Sequence, residues 1–125
     1  MERNEIRGIE FDWYACDRDG QLALFSSAGT ALVPAQVLQA AAGVDLLDDH
    51  FKVASPMRCD WEEFASLGLF VYDCGTPHDE TYRRLAVPTT PLRESELPGR
   101  LARALFRFTD LSFAAAPAID GRTLT

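Results

Sequence analysis

The sequence predicts a single α+β domain, residues 1–125, with a mainly antiparallel sheet, an N-terminal hairpin and about four short helices packed on it. Three observations predict it. Ile9, Phe11, Trp13 and Ala15 occupy every second position with Glu10 and Asp12 between them, which is the period of a strand. Asp17-Arg18-Asp19-Gly20 then turns the chain into a second short apolar run, residues 21–25. Beyond it, short helical patterns mix with strand runs and no strand-helix-strand unit occurs early, which favours α+β over a doubly wound fold.

Each element has its own signal. The run 21–25 is apolar on both faces, as in a strand covered on each side. Ser26-Ser27-Ala28-Gly29-Thr30 is turn chemistry, and Pro34 suits the first turn of a helix over 35–42. Gly43 is expected to end that helix, and a second one follows over 44–53 with Leu46, Leu47, His50 and Phe51 near one stripe. Asp60-Trp61-Glu62-Glu63 reads as a capping box opening a helix to about Leu67, which Gly68 ends. Leu69-Phe70-Val71-Tyr72 is a buried-strand run, and residues 81–87 regain an extended pattern that pairs with it. Tyr82, Arg84 and Ala86 are expected on one face of that strand. From 96 to 107, Leu97, Leu101, Ala104, Leu105 and Phe108 predict a basic amphipathic helix, with Arg100, Arg103 and Arg107 off the stripe. Phe106 lies away from that stripe and close to Arg103 and Arg107, which leaves two readings open, an exposed interface residue or one buried against a second layer or at a frayed helix end. Residues 111–119, interrupted by Pro117, suit an edge strand.

Bulk composition narrows the function classes. A chain of 125 residues, 47% hydrophobic, suits one domain with a real core. The opening "MERNEIRGIEF" alternates charges without an apolar run, unlike a secretion signal, and the uncharged stretch 21–44 is broken by Gly29 and Pro34. The expectation is a protein with no membrane partner. Cys16, Cys59 and Cys74 are an odd set with no close pairing motif, which points to free thiols and a cytoplasmic location. A formal net charge of −7 opposes nucleic acid and suits a basic protein partner. The charge is uneven, net −10 over residues 1–80 and net +3 over 81–125.

The chemical suspects yield no catalytic, cofactor or metal site. An EF-hand register on Gly20 would put Ala15 and Ser26 where calcium needs carboxylates, so Asp17 to Gly20 is read as a turn. Cys74 and His78 could converge as thiol and imidazole at a strand end, but no nucleophile signature surrounds them. Cys16, Cys59, Cys74 and His78 match no zinc spacing. His50 reads as a packing residue, and the acid pairs Asp48-Asp49 and Glu62-Glu63 as solvated faces.

Taken together, "FDWYACDRDGQLALFSSAG", a Pro-led helix, "LGLFVYD", "YRRLAVP" and "LPGRLARAL" resemble small uncharacterised bacterial proteins that look like immunity partners of polymorphic toxins. The likeness spans most of the chain, and its recurring Trp, Asp-x-Asp-Gly and Ser-Ala-Gly hairpin carries no catalytic residue. It implies a non-catalytic cytosolic protein that neutralises a toxin by stoichiometric binding. Charge complementarity with a basic toxin domain then nominates Asp45, Asp48, Asp49, Glu62 and Glu63 as the contact surface. Two alternatives stay open: a small enzyme or ligand-binding domain with a pocket near Cys74 and His78, and a structural homodimer joined through the final strand, so the chain is expected as a monomer or homodimer.

Overall fold

In the computed structural model, which describes residues 1–54 and 60–125, the predicted hairpin forms. Strand β1 (Asp12–Cys16) pairs antiparallel with β2 (Leu22–Ser26), setting Trp13 opposite Phe25. Gly20 takes φ +78° in the turn. Asp17, buried beside it, accepts the backbone N–H groups of Asp19 and Gln21 through Oδ1 and that of Phe113 through Oδ2, at 3.0, 2.9 and 2.8 Å. Its carboxylate thus fastens the turn to a distant segment, and the turn reading is the structural one.

After the short α1 (Arg3–Ile6) and the hairpin come α2 (Ala35–Gln39), α3 (Ala41–Ala54) and α4 (Trp61–Ser66). Strand β3 (Phe70–Asp73) then returns parallel to β2, β4 (Thr81–Ala86) pairs antiparallel with β3, and α5 (Gly99–Ala102) leads into β5 (Phe106–Arg107). Strand β5 runs parallel to β1, and β6 (Ala118–Asp120) antiparallel to β4. Among the described residues the sheet order is β5-β1-β2-β3-β4-β6, and the α+β class holds. The sheet is mixed: β1-β2, β3-β4 and β4-β6 are antiparallel, whereas β1-β5 and β2-β3 are parallel. The physical reason is the helical crossover from β2 to β3, which brings a strand back in the same direction. A strand-helix-strand connection is therefore present, built from the three helices expected over 35–67. Among the described residues no helix is long and apolar enough to cross a membrane.

Both faces of the sheet are buried. Trp13, Ala15, Ala23, Phe25, Phe70, Tyr72, Tyr82 and Phe113 fill one side; Tyr14, Cys16, Leu22, Leu24 and Val71 meet Leu47 and Phe51 of α3 and Phe64 of α4 on the other. A bulge in β4 assigns its faces. Val71 pairs with Ala86 but Tyr72 with Arg84, so Leu85 is the extra residue and the alternation flips. Tyr82 and Ala86, expected together, thereby enter opposite cores, and Leu85 is exposed. Phe106, Arg107 and Ile119 line one cavity of about 360 Å³, so the two ends of the sheet curl toward each other.

Two helix expectations are corrected. The break after α2 falls at Ala40, and Gly43 lies within α3. A Cβ there would come within 3.0 Å of the Ala104 Cβ, so Gly43 serves close packing of α3 beside α5. The helix expected over 96–107 is one turn: a 3-10 segment Glu94–Glu96 precedes it, Pro98 caps α5, and the chain is then drawn into β5. Phe108 N donates to Cys16 O at 2.9 Å, and Phe106 meets Trp13 edge-on at 5.8 Å, so pairing with β1 overrides helix propensity. Phe106 is accordingly half-buried, the packed one of the two readings left open for it. The final strand is an edge strand as expected, but it covers only Ala118–Asp120, because residues 111–117 fold over the aromatic core. Gly68 ends α4 with φ +99°, and a Cβ there would meet Leu92 N at 2.7 Å.

Candidate partner-binding surface

Helix α3 lies against β1 because Leu47 and Phe51 recur on one stripe and bury with Tyr14 and Leu22. Asp45 and Asp49 face outward and are exposed. Asp48 is half-buried and engaged: its Oδ1 accepts the Tyr14 hydroxyl at 2.7 Å and meets Lys52 Nζ at 3.3 Å. Helix α4 lies against β3 and β4 through Phe64 and Ala65. Asp60 caps it, accepting the Glu63 N–H at 2.9 Å; Glu62 is exposed and Glu63 half-buried. The five nominated acids therefore sit on two helices covering one face of the sheet, over different strands. Asp45 and Asp48 line one cavity, and Glu62 lines another with Ala65, Ser66, Val87, Thr89 and Thr90.

The first of these cavities, of about 350 Å³, brings in residues that sequence reasoning missed: Glu10, Asp12 and Lys52. Lys52 Nζ lies 3.3 Å from Asp12 Oδ2, and Asp12 Oδ1 is buried without a hydrogen-bond donor among the described residues. Burial pushes the Asp12 carboxyl up to about 6, against the pull of Lys52 and with the help of Glu10 and Asp48. Burial pulls Lys52 down, but Asp12 and Asp48 outweigh it and hold the ammonium above its ordinary value. Alternation made Asp12 an outward polar residue; the doubly covered run beside it was the signal that β1, too, has no solvent face.

The described thiols, Cys16 and Cys74, are packing groups. Cys74 is buried in the aromatic core, receives a weak hydrogen bond from Thr30 Oγ1 at 3.8 Å, and is pushed up to about 11 by burial. His78 is exposed, and Asp79 Oδ2 accepts the Thr76 N–H within the same loop. At neutral pH Cys74 is thus a protonated thiol, poorly suited to nucleophilic attack. Cys16 is buried and likewise pushed up to about 11 by burial, although Arg107 Nη1 stands 3.3 Å away. Cys59 lies outside the described residues; among those described, no three His, Cys, Asp or Glu side chains are placed to hold a metal. His50 is exposed and touches Phe51 edge-on at 4.9 Å, so it lies beside the core rather than in it.

Much of the basic half of the chain is spent internally. Arg84 donates to the carbonyls of Phe113 and Ala114, Arg93 to that of Asp19, Arg107 pairs with Glu94 at 2.5 Å, and Arg122 with Asp120 and Glu80. The charge left most available outside is acidic. Comparison with protein-family models, curated proteins and solved structures finds no match.

Proposed function

We propose that this protein is a non-catalytic, stoichiometric binding partner of a basic protein, acting in the cytoplasm in the manner of an immunity protein that covers a toxin domain. The observation that carries this reading is the exposure of Asp45, Asp49 and Glu62 on helices that share one sheet face, in a chain of net charge −7. Acids on rigid helices raise the encounter rate with a cationic surface and orient it, at a small cost in stability. Cys16 and Cys74 are buried, and Arg84, Arg93 and Arg107 are engaged within the chain, whereas these three acids stand exposed.

The test is affinity capture from the lysate of the source bacterium at low and at high salt, with mass spectrometry of the retained proteins. A basic partner held in one-to-one ratio and released by salt is expected. Charge reversal at Asp45, Asp49 and Glu62 together should abolish capture while circular dichroism stays unchanged. Undiminished capture by that variant would overturn the assignment of the surface. Asp48 is left out of the set because its bonds to Tyr14 and Lys52 make it part of the scaffold.

A further inference from the structure

The carboxylates around Lys52 are in excess. Asp12 and Asp48 each meet the Lys52 ammonium at 3.3 Å, Glu10 and Asp45 line the same cavity, and the Met1 amine that also lines it donates to Leu38 O at 3.2 Å. Asp12 and Tyr14 come from β1, Asp48 and Lys52 from α3, and Glu10 from the segment before β1. Glu10 is itself anchored across the hairpin, accepting the Ser26 hydroxyl and, at 3.3 Å, the Ala28 N–H. The cluster is thus the polar fastening between α3 and the hairpin, and one carboxylate oxygen within it, Asp12 Oδ1, lacks a donor among the described residues.

We propose that the Glu10-Asp12-Asp48-Lys52 cluster is an acid-tightened clasp: uptake of one proton at Asp12 as the pH falls locks α3 onto β1, and its release as the pH rises loosens that contact. Protonation removes one negative charge from a cavity that Glu10, Asp45 and Asp48 also line and ends the burial of an ionised oxygen. Because the same helix carries Asp45 and Asp49, the clasp sets how firmly that acidic face is held, yet the inference does not depend on what the face binds.

The direction follows from linkage. The folded chain holds the Asp12 proton up to about pH 6, whereas an unfolded aspartate releases it near 3.8. Between these values the folded state carries more protons, so stability falls as the pH rises through that interval and stays low above it. From pH 5 to pH 8 the folding equilibrium constant should fall about tenfold on this account.

The deciding measurement is a carboxyl carbon NMR titration of the intact protein, which reads Asp12 without any substitution. A midpoint near 6 is expected, and a midpoint near 4 overturns the proposal. Amide exchange, corrected for intrinsic rates, should show α3 losing protection about tenfold between pH 5 and pH 8, with the slowest amides of β3, which report global unfolding, losing no more than α3; unchanged protection in α3 would refute the clasp. Urea unfolding of Asp12→Asn, which mimics the protonated acid, should lose the tenfold dependence and exceed wild-type stability at pH 8. Retention of the wild-type dependence, or a loss of stability at pH 8, would reject the role of Asp12.

Discussion

The two faces of the sheet are covered by different kinds of chain, and that difference governs what their polar residues do. On one face, helices α3, α4 and α5 satisfy their own backbone and offer apolar stripes, Leu47, Phe51, Phe64 and Leu101 among them. On the other, irregular segments near residues 28–34 and 108–117 close over stacked rings: Trp13 on Phe25 at 4.3 Å and Phe25 on Tyr72 at 4.9 Å. Irregular backbone has no internal ladder, so its carbonyls must find side-chain donors. Tyr82 donates to Leu32 O at 2.9 Å, Tyr72 to Ala116 O at 2.6 Å, and Arg3 to the carbonyls of Ala31 and Val33. Polar side chains on the ring-filled face are therefore structural, whereas the outward faces of the helices are free to carry surface charge.

The comparison is sharpest at its largest effect. Trp13→Ala should cost about 3–5 kcal/mol, because Trp13 is fully buried and touches Phe25, Tyr82 and Phe106; the matched change on the helical face, Leu47→Ala, should cost about 2–4 kcal/mol, both read by urea unfolding. A larger loss for Leu47 would invert the ranking of the two cores. Asp17→Ala should cost about 2–3 kcal/mol, since it strands three backbone N–H groups that tie the hairpin turn to the ring-filled face. Tyr72→Phe should cost about 1–2 kcal/mol by leaving the Ala116 carbonyl without its donor, and a neutral result would show that this carbonyl does not need a side chain. At the small end, Asp45→Lys with Asp49→Lys should change stability by no more than about 0.5 kcal/mol, as expected of exposed positions on a self-satisfied helix.

Local signals carried the hairpin, the Asp60 cap, the Gly68 stop and the β3-β4 pairing, because each rests on neighbours within a few residues: an alternation, a side chain reaching three positions ahead, a glycine at positive φ. The exposure of Asp45, Asp49 and Glu62 was readable in the same way, since charge on a helix surface is a property of composition and period, whereas the bonds of Asp48 to Tyr14 and Lys52 were not. Three features were not. The helical stripe over 96–107 is a real pattern in the sequence, yet the chain leaves it after one turn because β1 offers backbone partners and Trp13 offers Phe106 a ring. Gly43 looks like a stop from its neighbours alone, and only the approach of Ala104 gives it a packing role.

Asp12 is the clearest case. Composition and alternation determined that a carboxylate stands in the first strand, between Phe11 and Trp13, and that the chain is acidic overall. Only tertiary structure decided that α3 would cover it, set Lys52 3.3 Å away and bring Asp48 to the same ammonium, with Glu10 lining the same cavity. A residue's polarity is local, but its solvation is decided by whichever distant segment arrives on top of it, and the energy of a charge depends on solvation more than on sequence position.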